Sequence, residues 1–415
     1  MRLRPRSLGR PFNALWFGTG AANLGDGMAL FALPLLAVAV EASPGGVAAV
    51  TAALTLAWPV FGMHAGWIVD RVDRRMLLSG VNAVRAAVLT GLSVSHVTGT
   101  LSLPVLLAAA VLLGAAETLV DTALTSTVPM VVQPVGRNSA NARIEATINL
   151  TNQLAGPPLA GLLASATLAL ATGASAALYV VAVAGLAAMT LRRAPEQTGA
   201  AAGSGGVAAG FRYLWRLPVV RTLTLFTAAM NIVWAAATAL LVVYAVSPGP
   251  LRLTTAQYGL LLTAMAVGGL LASAVVEPLR RRFGVTRLLI ADAAGTVLLV
   301  APVAMDGGVW IVAAGVVTAG AGSSVWRILV ATVRQNLSPP DLLGRVYAAS
   351  RVLSWGVIPV SAALAGIGAE LWGVRAVFVL ATVLAAVVLV AFVVYALRTD
   401  LTATVEASPD PLAVP

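Results

Sequence analysis

The chain has 415 residues, of which 59% are apolar and 10% charged, with a formal net charge of +10 and a mean hydropathy of +0.92. Soluble domains are near half apolar and a quarter charged, so this balance excludes an ordinary soluble domain and points to the membrane class. The absence of cysteine excludes disulfides, thiolate metal sites and cysteine nucleophiles, and two histidines (His64 and His96) cannot build a histidine-rich metal site. There is no lysine either, which excludes a phosphate-cradling P-loop, so no cofactor and no metal are expected.

A spanning helix needs about 20 mostly apolar residues. In chain order this criterion predicts spans at 12–40, 46–69, 76–97, 104–126, 143–168, 174–191, 219–246, 256–277, 286–305, 308–332, 345–370 and 374–397. The first run is too long for a secretory signal and has no small-residue cleavage site, so it is expected to remain as a span. Spans five and six are separated only by Ala171, Thr172 and Gly173. The fold class expected is therefore all-α and integral to the membrane, with twelve transmembrane helices.

All the basic residues are arginines, and nearly all fall in short loops on one side of these spans. Only Arg252 and Arg375 fall on the other side, and Arg85, Arg327 and Arg351 lie within spans. This asymmetry is that of the positive-inside rule and not of a nucleic-acid partner. It predicts a multi-pass protein of the bacterial inner membrane with both termini cytoplasmic, which requires an even number of spans. The one long break, 192–218, begins as a Gly/Ala/Ser-rich linker and ends in Phe211-Arg212-Tyr213-Leu214-Trp215-Arg216, which reads as an amphipathic segment on the inner surface. The expected organisation is a six-helix bundle over 1–191, the linker 192–218, a second six-helix bundle over 219–398, and a disordered tail over 399–415.

The two halves echo each other. Gly66-Trp67-Ile68-Val69-Asp70-Arg71-Val72-Asp73-Arg74-Arg75 follows span two, and Glu277-Pro278-Leu279-Arg280-Arg281-Arg282 follows span eight, each with an acid at a helix end before an arginine cluster. Paired repeats around a central site are a common plan of secondary transporters. On these residues the chain resembles the major facilitator superfamily (MFS), with pseudo-symmetric six-helix halves. Gly66, Asp70, Arg71, Arg74 and Arg75 match its signature between spans two and three, and Gly156-Pro157-Pro158-Leu159-Ala160-Gly161 is similar to the glycine-proline motif of its antiporter branch, with Gly156, Pro157 and Gly161 as its marks. Asn23-Leu24-Gly25-Asp26-Gly27, the stretch Phe211 to Arg221 and Arg334-Gln335-Asn336 resemble the branch of siderophore and macrolide exporters. The resemblance implies that Asp70 and its neighbours act as a conformational latch, and that spans five and seven line a substrate cavity.

Ionisable groups at bilayer depth are expensive, which singles out the acids inside spans. Asp26 lies mid-span one, on a face with Thr19 and Asn23; Glu117 lies mid-span four, with Asp121 one turn on. Two acids at i and i+4 repel when both are ionised, so one of them is expected to hold a proton. Asp26, Glu117 and Asp121 are thus the proton-coupling candidates, although Asp121 pairing with Arg74 or Arg75 is an equal alternative. Polar stripes on spans five and seven supply the cavity candidates Asn149, Gln153, Asn231 and Trp234, joined by Asn23, Trp326 and Trp355.

These features predict a secondary transporter and not an enzyme, driven by protons, which exports a hydrophobic small molecule such as an antibiotic (multidrug efflux by antiport). The chain's partners are expected to be that molecule, protons and the lipid bilayer, with the protein a monomer. An uptake symporter for a small polar solute and a dedicated siderophore exporter are the alternatives, and a membrane-embedded enzyme is disfavoured by the lack of His/Asp/Glu clusters and large loops.

Overall fold

In the hydrocarbon of a bilayer no water satisfies the backbone, so apolar runs of this length must bond internally as helices. The computed structural model describes residues 8–189, 206–339 and 342–399, and the linker 192–205 and the tail from 400 lie outside the described residues. The elements in order are α1 (Arg10–Ala39), α2 (Pro44–Arg71), α3 (Arg74–Val97), α4 (Leu103–Val131), α5 (Arg137–Ile148), a π-helical segment (Asn149–Ala155), α6 (Gly156–Ala166) and α7 (Leu168–Ala187). There follow α8 (Gly206–Arg216), α9 (Pro218–Ala245), α10 (Thr255–Phe283), α11 (Val285–Ala304), α12 (Val309–Leu337), α13 (Leu343–Trp355), α14 (Val357–Trp372) and α15 (Val374–Arg398). Among the described residues, ten segments are long and apolar enough to cross a membrane. One of them, Thr255–Ala304, contains both α10 and α11; with the α5–α6 stretch added, the helices agree with twelve spans.

Two expected spans are broken helices. Span five runs α5, π segment, α6, because Pro157 and Pro158 lack the N–H groups that the carbonyls of Gln153 and Leu154 would accept. The backbone adjusts upstream, with the Gly156 N–H bonding the Thr151 carbonyl five residues back. Span eleven divides into α13 and α14 at Gly356, just before Pro359. The separation of spans five and six also differs from expectation. It falls at Thr167, which is fully extended (φ −164°, ψ 146°) and caps α7 by accepting the Ala169 N–H through its hydroxyl at 3.3 Å. An Ala-Thr-Gly run has no such cap, and residues 171–173 continue α7. At the opposite extreme, α14 and α15 turn on the single residue Gly373, whose φ of 85° is open to glycine.

The chain divides into two compact units. One holds α1, α2 from Ala53, α3 to α7, and the first turns of α10 up to Thr263; there α7 lies against both α1 and α3, and α3 against α4. The other holds the remaining helices, with α11 packed on α12 and α15, α9 on α14, and α8 on α13. Lipid tails are as apolar as leucine, so helices associate by close backbone approach at small residues. Gly25 faces the Ser175 carbonyl across α1 and α7, and Gly315 and Gly320 face the carbonyls of Leu298 and Met265 across α12. In the second unit α8 docks by Leu214, which is fully buried against Val220, Val346 and Ala349.

These seams predict where substitution is tolerated. Gly320→Leu is expected to destabilise the protein by roughly 1–3 kcal/mol or more through overpacking, whereas Gly91→Ala, around which nothing lies within 4 Å, is expected to be near neutral. Thermal unfolding of both variants in detergent checks the contrast.

Candidate functional site

Four helices of the first unit, α1, α3, α4 and α7, bring charge together in their interior. Arg85 on α3 is among the largest fully buried side chains of the described residues, 1% exposed. It lies roughly three turns, about 16 Å, from the start of α3 at 1.5 Å per residue, farther than an arginine side chain reaches. Its charge must therefore be met inside the bundle.

Asp26 on α1 meets it, with Arg85 Nη1 3.0 Å from Oδ1 and donating to Oδ2 at 3.3 Å. The Tyr179 hydroxyl on α7 donates to Asp26 Oδ1 at 2.6 Å, and the Arg85 guanidinium stands 5.4 Å from the Tyr179 ring. On its other side Arg85 Nη2 lies 3.6 Å from Glu117 Oε2 on α4. Asp26 is buried, but the Glu117 side chain is 38% exposed. One guanidinium thus stands between two carboxylates, one sealed and one accessible. Asp121, one turn further along α4, is exposed and within electrostatic reach of Arg85 and Glu117.

The glycines flanking Asp26 allow this placement. Gly25 lets α1 approach α7, where the Ser175 hydroxyl donates to the Gly25 carbonyl at 2.6 Å. Gly27 faces the backbone of Asn152 in the π segment and Gly156 beyond it. A side chain at either glycine would push α1 off its neighbours and carry Asp26 away from Arg85 and Tyr179.

The other candidate residues are distributed as follows. Asn149 and Gln153 sit on the π segment, half-buried and exposed respectively, and Gly156 and Pro157 begin α6 immediately after it. Gly161 packs its α-carbon against the Thr255 carbonyl and Gly259. Asn23 donates to the Thr19 carbonyl of its own helix at 2.9 Å. In the second unit Asn231 donates to the Ser354 carbonyl at 2.6 Å, Trp234 is half-buried, and Trp326 is 5% exposed, its indole N–H on Thr227 Oγ1 at 2.9 Å and its ring edge-on to Phe392. Trp355 is exposed and carries the Arg351 guanidinium 4.8 Å from its ring.

At the end of α2, the Asp70 side chain is 76% exposed and 3.4 Å from Arg74. Arg71 stacks on Trp67, Arg75 donates to the Ala187 carbonyl, and nothing lies within 4 Å of a Cβ at Gly66. Sequence reasoning named Arg85 among the arginines within spans without assigning it a functional role, and did not single out Tyr179. The depth of Arg85 in span three was the available signal, while nothing marks Tyr179 apart from its being the one aromatic of α7.

The family profile of the transmembrane secretion effectors matches residues 8–413. The chain belongs to that family of the major facilitator superfamily. The solved structures of similar fold are those of transporters. Among its relatives is the multidrug efflux pump Tap of Mycobacterium tuberculosis, 29% identical over 225 residues, or 51% of this chain and 53% of the pump. The chain thus spans about half the length of these curated pumps. An uncharacterized MFS-type transporter, y4rN, of Sinorhizobium fredii is 27% identical over 88% of this chain and 91% of its own. Similar folds are those of the nucleoside transporter NupG (11% identity, TM-score 0.74, covering 93% of this chain and 98% of the other) and a bacterial homologue of the lysosomal transporter Spinster (15%, 0.71, 96% and 98%).

The cluster makes a stability prediction. Arg85→Met leaves buried Asp26 without its counter-charge and is expected to destabilise the protein by roughly 3–5 kcal/mol. Adding Asp26→Asn to Arg85→Met is expected to recover most of that loss, as read from thermal unfolding in detergent.

Proposed function

We propose that the chain is a proton-driven exporter of hydrophobic small molecules, working by alternating access in the bacterial inner membrane as a monomer with both termini cytoplasmic. The observation that carries this reading is the sharing of one guanidinium, Arg85, between the sealed carboxylate of Asp26 and the accessible carboxylate of Glu117. One positive charge fully balances only one of the two. With a proton on Glu117, Arg85 is committed to Asp26 and the cluster is neutral. With the proton gone, the cluster carries a net negative charge that pulls Arg85 toward α4 and favours a cationic or neutral amphiphile beside it. Substrate and proton then compete for the same carboxylate, which is the requirement of antiport.

Glu117 is the proton-exchanging acid in this scheme, Asp26 the fixed partner, and Asp121 the acid that raises the local negative charge. The π segment is the second element of the reading. Non-α backbone at bilayer depth is tolerated where it lines a cavity or is buried in protein, and Asn149 and Gln153 on that segment are the polar groups assigned to the substrate, with Asn23 of α1 contributing from the same unit. The bundles 1–191 and 219–398 are the moving halves, and Gly66, Asp70, Arg71, Arg74 and Arg75 form the latch at the end of span two. The relationship to a pump named for multidrug efflux supports the direction of transport and the class of substrate.

The test is efflux of lipophilic cationic dyes and antibiotics from cells expressing the chain, with and without a protonophore. Export that collapses with the protonophore is expected; export indifferent to it would refute proton coupling. Glu117→Gln, which mimics the protonated acid, is expected to bind a cationic substrate more weakly and to fail to concentrate it against a gradient. Asp70→Asn is expected to lower transport at least tenfold while leaving folding and binding intact, and normal export by that variant would eliminate the latch.

A further inference from the structure

A second ionisable group is buried in the other unit, and the scheme above makes no use of it. Asp292 on α11 is 3% exposed. It stands among Leu289, Ala293, Val325 and Trp326, members of one apolar core. Across the seam Gly322 of α12 comes so close that a methyl group there would collide with the Asp292 carboxyl. Gly295 of α11, against the Thr318 carbonyl, and Gly315 of α12, against the Leu298 carbonyl, continue the same seam.

Among the described residues no counter-charge pairs with it. The charged and titratable groups of the helices packed on α11 are Arg327 and Arg334 of α12, Arg375, Tyr395 and Arg398 of α15, and Arg221 and Tyr244 of α9; Arg287 lies on α11 itself. Among the described residues none of these bonds or pairs with the Asp292 carboxyl. Arg334 lies over Tyr347, Arg375 pairs with Asp306 at 2.6 Å, Arg221 donates to the Trp215 carbonyl, and Arg287 and Arg327 are exposed.

The position is also not arbitrary. Asp70 and Glu277, the helix ends Val97 and Ala304, and Arg85 and Asp292 are separated by one and the same interval. Asp292 therefore occupies in the second half the place that Arg85 occupies in the first. There a cation stands between two acids; here an acid has no cation, and the remaining way to neutralise it is a proton.

We propose that Asp292 is a second proton-binding site, neutral while Gly322 covers it and exchanging its proton with bulk water when α12 shifts along the glycine seam. The proposal rests on the reading of the chain as a proton-coupled transporter, but not on Glu117 as the first site. An ionised carboxylate fixed at this position would need a counter-charge, whereas burying a neutral acid costs far less.

The experiment is infrared difference spectroscopy of the full chain in lipid, reading the C=O stretch of protonated carboxyl groups across a pH titration. The wild type is expected to carry an acid band at neutral pH that Asp292→Asn removes and Glu117→Gln leaves in place. An amide is isosteric with the neutral acid, so Asp292→Asn is expected to fold with unchanged thermal stability. Failure of that variant to fold, or a spectrum that keeps the band, would overturn the proposal. Gly322→Ala retains the acid but crowds it, and is expected to shift the frequency and pH midpoint of the band; an unmoved band would contradict the seam's role. If efflux proves indifferent to the protonophore while the Asp292 band is present and titrates, the coupling reading fails but the buried acid stands. The converse result sinks Asp292 alone.

Discussion

A guanidinium that cannot reach water obliges the rest of its bundle to come to it. Arg85 sits too deep in α3 to snorkel, and its charge is met by Asp26 from α1, steadied by Tyr179 from α7, with Glu117 from α4 standing off at 3.6 Å. Removing one partner from such a group costs far more than the pair contributes in net stability. The four helices are therefore held in a register that keeps the charges together. The glycines beside Asp26 and the hydroxyl of Ser175 serve that register by letting α1 press against α7 and against the π segment.

The same pressure explains the irregular span. Two consecutive prolines deprive the helix of two donors, and the π segment that results brings Asn149 and Gln153 to the stretch packed against Gly27, next to Asp26. A defect in hydrogen bonding thus becomes the place where polar side chains gather near the ion cluster. Irregular backbone of this kind occurs frequently at functional sites, and at bilayer depth it is tolerated where it is buried in protein or lines a cavity. In the second unit the corresponding depth is occupied by Asp292 under Gly322, so each unit carries buried charge chemistry of opposite design.

The helical architecture was legible in the sequence because hydropathy at bilayer depth leaves the chain little choice, and the arginine loops divide the spans cleanly. Asp26 and Glu117 stood out for the same reason, as acids where acids are expensive. Their pairing through Arg85 was not legible, since which helices touch is decided by close approaches between distant stretches, such as Gly25 of α1 against Ser175 of α7 and Gly27 against Asn152. The boundary at Thr167 was missed because capping by a single hydroxyl outweighs the small-residue run that follows it. Trp326 shows the limit of reading aromatics from sequence: its ring fills an apolar core against Phe392, with its one polar atom satisfied by Thr227.

The central claim is that substrate and proton compete at the carboxylate of Glu117. The most direct measurement is proton release from the purified chain in weakly buffered detergent when a lipophilic cation such as ethidium is added, followed with a pH-indicator dye. The account predicts release on binding, and no release from Glu117→Gln at equal dye occupancy. Binding without proton release, or equal release from the variant, would contradict it.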